Sequence, residues 1–347
     1  MNKLTISISP HIKSNSSTTR IMLDVIIALL PALVASVFIF GLRALLVVAV
    51  TVVAAVLSEF LFEKLCKKEV TVSDLSAVVT GLLLGFNLPV TIPLWQAAFG
   101  SVVAIIVVKQ LFGGIGFNFA NPAITARIVM LLAFGSTLSA WVAPVGSVGT
   151  FNTADFVATA TPMAGIESRT AAMPSLSDLL LGKIGGSIGE TCAVALVLGF
   201  VYLVARRIIT PHIPLLFIGT VFVMSLIFTP DVISRNLVFT GIVNLDYAIF
   251  EVLSGGLLLG AIFMATDYVT SPVTGWGKVI FGIGCGVITF MIRRFGSLPE
   301  GVSYAILIMN LCSWAIDKAF RRHPFGTTKE DLVALKIAKK AEKEAAK

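Results

Sequence analysis

Gly81-Leu-Leu-Leu-Gly85 and Gly256-Leu-Leu-Leu-Gly260 are one pentapeptide written twice in the same chain. The first copy lies in a short apolar run, residues 75–88, that ends Gly85-Phe-Asn-Leu-Pro89. About ten residues further on, Pro89 and Pro93-Leu-Trp95 find counterparts in Pro272 and Gly275-Trp276. Beyond these, Lys109-Gln-Leu-Phe-Gly113 is echoed by Arg293-Arg-Phe-Gly296. Around these strings run apolar segments near the 20 residues a spanning helix needs. They are 21–42, 44–65, 75–88, 92–112 and 123–142 in the first half, and 188–205, 213–229, 247–265, 279–292 and 302–320 in the second. Two related halves with an odd number of spans sit in opposite orientations. Short, Gly/Pro-broken segments at matching places then put an ion or substrate path at the repeat interface. Chance recurrence of ordinary membrane sequence is the alternative. The expected fold is an all-α polytopic membrane protein with about ten transmembrane helices in two inverted five-helix repeats with broken helices.

Composition agrees. Of 347 residues 56% are hydrophobic and 13% charged, with mean hydropathy +0.95. Soluble domains carry about 25% charged residues, so this chain cannot cover a soluble surface. The net charge of +7 gathers at span ends, where topology rather than nucleic acid explains it. No nucleic-acid partner is expected; membrane lipid is. Cys66, Cys192, Cys285 and Cys312 are scattered, as are His11, His212 and His323. Zinc and iron–sulfur sites need such ligands gathered, so no protein-encoded metal site is expected.

The expected organisation is a cytoplasmic segment 1–20, a first repeat 21–142, a polar loop 143–187, a second repeat 188–320 and a cytoplasmic tail 321–347. The N-terminal segment lacks the small-residue cleavage site of a removable signal peptide. Alternate span ends carry thirteen Lys and Arg on one side against six on the other. The positive-inside rule places both termini in the cytoplasm and the 143–187 loop outside it.

That loop contains Asp155-Phe-Val-Ala-Thr-Ala-Thr161-Pro-Met-Ala-Gly165, small and hydroxyl-rich. No His is near enough in sequence to serve as a base, so a Ser/His/Asp reading finds nothing to stand on. Ionisable residues within or beside spans include Asp24, Glu59, Glu190, Glu251, Asp267 and Glu300, with Arg127 among the basic ones. Charge at membrane depth is costly and usually kept for pairing or function. Asp267-Tyr-Val-Thr-Ser-Pro272 follows a glycine-rich span, which makes Asp267 an ion-pathway candidate; a helix-capping Asp is the equal alternative. Asn87, Asn118 and Asn121 are the matching polar groups of the first half.

Several motifs together resemble the RnfD/NqrB family. Its members are integral membrane subunits of the Rnf ferredoxin:NAD⁺ oxidoreductase and of the Na⁺-translocating NADH:quinone reductase. The motifs are Ser9-Pro-His11 with Arg20-Ile-Met-Leu-Asp-Val-Ile-Ile-Ala-Leu-Leu-Pro31, Ser76-Ala-Val-Val-Thr-Gly-Leu-Leu-Leu-Gly-Phe-Asn-Leu-Pro89, and Gly113-Gly-Ile-Gly-Phe-Asn-Phe-Ala-Asn-Pro-Ala123. Ala265-Thr-Asp-Tyr-Val-Thr-Ser-Pro-Val-Thr274 and Pro299-Glu-Gly-Val-Ser-Tyr-Ala-Ile-Leu-Ile-Met-Asn310 complete the set. The modest length is nearer the RnfD branch than the quinone reductase branch.

The resemblance implies an enzyme component inactive alone, in a prokaryotic inner membrane, coupling electron flow between ferredoxin and NAD⁺ to Na⁺ or H⁺ movement. It implies FMN joined by a phosphodiester bond to the matching threonine, Thr161, with Asp155 and Thr159 as motif neighbours. The sequence departs from the family at Ala158 and Thr159. A second, non-covalent flavin of riboflavin type is implied too, as are the A, B, C, E and G components of the Rnf complex and a flavin transferase as partners. The competing readings are the sister quinone reductase component and a small-solute channel or transporter of inverted-repeat type.

Overall fold

The structure is a computed structural model that describes residues 17–146, 148–151, 155–159, 161, 174–230, 237–238, 245–296 and 301–320. In chain order its helices are α1 (Thr18–Phe40), α2 (Leu42–Leu65), α3 (Ser76–Phe86), α4 (Leu94–Gln110, π-helical from Val103), α5 (Pro122–Ala133), α6 (Gly135–Leu138) and α7 (Leu176–Leu181). The second half supplies α8 (Ala193–Ala205), α9 (His212–Ile227), α10 (Leu245–Leu253), α11 (Leu257–Met264, π-helical from Gly260), α12 (Gly275–Phe295) and α13 (Val302–Ala319). Strand structure among the described residues is one antiparallel pair, Thr229–Pro230 with Leu237–Val238, and an isolated bridge.

Helices α1, α2 and α12 are long and apolar enough to cross a membrane, and α10 with α11 makes a fourth such unit bent by 62°. Helices α3, α4, α5, α8 and α9 are shorter and also apolar. This is a helical polytopic membrane protein. Several expected spans differ in extent. The helix expected over 123–142 stops at Ala133, the one over 188–205 starts at Ala193, and the one over 247–265 breaks at Ser254–Gly256. At that break Gly255 and Gly256 take φ of 67° and 68°, a left-handed backbone that glycine alone adopts without cost. Hydropathy detects the apolar run, not the continuity of the backbone inside it.

Close packing explains the glycines of α3. A Cβ at Gly81 would stand 2.7 Å from the Val52 Cα of α2, and one at Gly85 2.7 Å from Thr51 Oγ1. Small residues at such crossings let backbones meet where lipid gives helices no hydrophobic drive to associate. The Ser101 hydroxyl donates to the Thr51 carbonyl and Lys109 reaches Glu59, so α2 and α4 run parallel. Gly282 meets Leu216, Gly286 meets Thr220, and the Phe290 and Phe228 rings lie 6.2 Å apart. Helices α9 and α12 are therefore parallel too.

Helix starts recur at a fixed interval. Leu75 and Gly256 are left-handed N-caps at φ of 65° and 68°, 181 positions apart. The caps Pro93 and Thr274 are also 181 apart, and Asn121 and Gly301 are 180 apart. Trp95 and Trp276 are each the second residue of their helix and exposed. The repeated pentapeptide does not share this register: its first copy lies inside α3, while its second straddles the cap and first turn of α11.

Candidate functional site

The hydroxyl-rich loop is sewn to one end of the helices. The Ala143 amide donates to the Val157 carbonyl (2.9 Å) and the Thr159 amide to the Trp141 carbonyl (3.0 Å), around a bridge between Val142 and Ala158. The Val145 amide continues the connection to the Ile39 carbonyl, and the Leu42 and Arg43 amides donate to Val148 and Thr150. Residues 157–159 are thereby fixed to the turn between α1 and α2. Asp155 and Thr159 are exposed, whereas Thr161 is 7% exposed. Residues 162–165 of the motif lie outside the described residues, as do Glu300 and the terminal segments 1–16 and 321–347.

A cavity of about 360 Å³ opens at the opposite end of α1, beside Thr18, Ile21, Met22 and Val25. The 23 residues of α1 at about 1.5 Å each put roughly 34 Å between its ends. The start of α3 contributes Ser76, Val79 and Thr80, the end of α4 contributes Lys109, and the start of α5 contributes Asn121, Pro122 and Ala123. Phe263, Thr266, Asp267 and Tyr268 enter from the second half. The cavity thus brings together Asp267, Asn118 and Asn121. The Thr270 hydroxyl donates to Asp267 Oδ2 at 3.0 Å and the Val269 amide faces Oδ1 at 3.5 Å, so Asp267 caps its own turn while lining the cavity. Loss of hydration pushes its carboxyl above the ordinary range, against hydrogen bonds from Thr270, Val269 and Asn118. Asn121 caps α5 by accepting from the Ala123 and Ile124 amides and donates across to the Met264 carbonyl.

The other described ionisable residues make packing contacts. Asp24 accepts from the Tyr202 hydroxyl at 2.7 Å and from Arg206, tying α1 to α8. Glu190 accepts from the Ser187 amide at 2.9 Å. Asn87 is apart from the cavity, in a polar seam between the halves, where Arg127 donates to Asn87 Oδ1 and to Ser303 Oγ, both at 3.0 Å. Two buried ion pairs hold the broken segments. In the first half Lys109 meets Glu59 Oε1 and Ser76 Oγ, both at 2.5 Å, at the start of α3. In the second, Arg293 meets Glu251 Oε2 at 2.8 Å and donates to the carbonyls of Glu251, Ser254 and Gly255 at the end of α10. Sequence pattern singled out the two glutamates but treated Lys109 and Arg293 only as parts of a string. The signal that exposes them is one acid and one base at matching depths of neighbouring spans.

A sequence model of the NQR2, RnfD, RnfE family matches residues 5–326. The chain is 44% identical over 329 residues to the D component of the Na⁺-translocating ferredoxin:NAD⁺ oxidoreductase complex of Acetobacterium woodii, covering 94% of this chain and 96% of that one. It is 39% identical to the D component of the proton-translocating ferredoxin:NAD⁺ oxidoreductase complex of Clostridium ljungdahlii, over 94% and 97%. It is 36% identical to the D component of the ion-translocating oxidoreductase complex of Stutzerimonas stutzeri, over 90% and 93%. On a match over residues 5–326 and on relatives that align over nearly their whole length, this chain belongs to the NQR2, RnfD, RnfE family.

Proposed function

We propose that the chain is the D component of an ion-translocating ferredoxin:NAD⁺ oxidoreductase complex, working with the A, B, C, E and G components and inactive alone. The observation that carries this is the 44% identity over 94% of the chain to a relative of that name. Two of the relatives are named for different ions, Na⁺ and H⁺, so the ion is left as either. Ten spans in two inverted repeats are supported by helix starts that recur at 180–181 positions, and by the parallel second and fourth helices of each half. The loop of Thr161 is placed on the extracytoplasmic side and the termini in the cytoplasm, in keeping with the charge distribution and with a loop and cavity at opposite ends of α1.

A flavin transferase attaches FMN to Thr161 in this proposal. The residues fit: Thr161 offers a hydroxyl two residues beyond a segment pinned at 157–159, so an attached group stays at that end of the molecule. Bound flavin supplies one- and two-electron carriage. Thr161 provides the attachment oxygen, the 141–143 segment holds the chain that leads to it, and its 7% exposure requires local opening before a transferase can reach it. The cavity beside Asp267 suits the second, non-covalent flavin. Its volume lies within the range of about 300–1,000 Å³ for small-molecule sites, and mostly apolar walls with a few polar groups favour a flat heterocycle. Asn118, Thr80 and Lys109 are placed to meet polar edges there.

The test is a denaturing gel viewed under ultraviolet light after co-expression with an active flavin transferase. Wild type is expected to fluoresce, Thr161→Ala not to, and Thr159→Ala to fluoresce as wild type. A dark wild-type band removes the covalent flavin; loss only in Thr159→Ala moves its site.

A further inference from the structure

Arg43 is a cation that meets no anion. It is half-buried, and no carboxylate lies within ion-pair distance of it among the described residues. Its Nη2 donates to the Ile92 carbonyl at 3.3 Å, while its buried Nε has no hydrogen-bond partner among those residues. The place is a poor one for a cation. Arg43 is the second residue of α2, whose first turn carries no acid, and a helix start disfavours positive charge. A charge kept out of water without a partner is costly, so such groups are normally paired.

Thr161 poses the complementary problem. It is 7% exposed, and a phosphodiester formed on its hydroxyl carries a negative charge at neutral pH. Segment 140–143 joins the two residues. On one side the Thr91 hydroxyl donates to the Ala140 carbonyl at 3.2 Å, next to the Ile92 carbonyl that receives Arg43. On the other the Thr159 amide donates to the Trp141 carbonyl at 3.0 Å, two residues before Thr161. With backbones about 4.8 Å apart at each contact, the guanidinium stands roughly 10–15 Å from Thr159. The Arg43 amide is fixed to the same loop through the Thr150 carbonyl at 3.3 Å. The other described cations at this end are placed differently. Arg293 is held by Glu251, Arg294 faces Tyr247, and Lys183 is exposed beyond α7.

We propose that Arg43 is the counter-ion of the phosphate that links FMN to Thr161. The guanidinium turns from the Ile92 carbonyl toward the phosphate oxygens, which its planar fork matches and which take the unmet Nε hydrogen. An anion there also offsets the unfavourable meeting of Arg43 with the start of α2. The inference rests on the FMN attachment proposed above and adds the residue that fixes where the phosphate lies. Arg43 is a positioning residue: it holds one end of the attached group and touches no reacting atom.

Two measurements test it. In a high-resolution density map of the flavin-loaded complex, guanidinium nitrogens of Arg43 are expected about 2.8 Å from phosphate oxygens; a phosphate met by solvent or by another cation overturns the proposal. Thermal unfolding at neutral pH then compares the full chain expressed with and without an active flavin transferase. Attached FMN is expected to raise the melting temperature of wild type by about 3 °C more than that of Arg43→Gln, the scale of one charge-assisted hydrogen bond in a chain of this size. Arg43→Lys, which keeps the charge and loses the fork, is expected to recover part of that difference. Equal shifts in wild type and Arg43→Gln overturn the proposal while leaving the attached FMN in place. If Arg43→Gln fails to fold or to load flavin, the map of wild type decides. A wild-type band without fluorescence on a denaturing gel strikes the attached FMN itself, and this inference with it.

Discussion

Arg293→Met removes the cation that closes the break between α10 and α11. Four hydrogen bonds go with it: two to Glu251 and one each to the carbonyls of Ser254 and Gly255. Both partners are buried, with side-chain exposures of 2% and 7%. Removing one member of a buried pair strands the other charge and typically costs about 3–5 kcal/mol. Glu251 would retain the Tyr247 hydroxyl at 2.6 Å, a neutral donor that leaves its charge uncompensated. Adding Glu251→Gln removes the stranded charge but leaves carbonyls unmet, so the double variant should recover to a loss of about 1–3 kcal/mol. Thermal unfolding in detergent, followed with a thiol-reactive dye, reads this directly. Cys66 and Cys312 are exposed and label at once, so delayed labelling reports the buried Cys285 together with the half-buried Cys192. Arg206→Met, which breaks an exposed pair with Asp24, should melt like wild type. If Arg293→Met also melts like wild type, the ion pair does not hold the break.

Gly189→Ala should destabilise by about 1–3 kcal/mol in the same assay, because its Cβ would fall on the Phe86 side chain well inside contact distance; an unchanged melt would mean that 186–192 is not wedged against α3. Asp267 gives a pH signature. Its raised pKa means the folded state holds its proton more tightly than the unfolded chain, so its contribution to stability falls as pH rises through the ordinary carboxylate pKa of about 3.9. Asp267→Asn should therefore gain melting temperature relative to wild type above that pH and converge with it below, and a constant difference would refute the upward shift of this half-buried carboxyl.

Much of the fold was legible because a membrane leaves few choices: apolar runs of spanning length and sparse charge point to buried helices. The break at 254–256 was not legible, because the run 247–265 reads as one span and the left-handed glycines inside it show only in the backbone. The repeated pentapeptide does not follow the interval of the helix starts, in which the left-handed caps at Leu75 and Gly256 recur. At the site, Asp267 caps its own turn and also lines a cavity, a placement that needed the fold. Lys109 and Arg293 stayed hidden because their acids lie about 40–50 residues away along the chain and only packing joins them.

The most direct measurement is ion uptake into proteoliposomes holding the purified complex, energised with reduced ferredoxin and NAD⁺, with and without this chain. Uptake in step with NAD⁺ reduction, lost when the chain is left out and restored when it is supplied, is the expected result. NAD⁺ reduction and ion uptake that continue undiminished without the chain would contradict its place in a coupling complex.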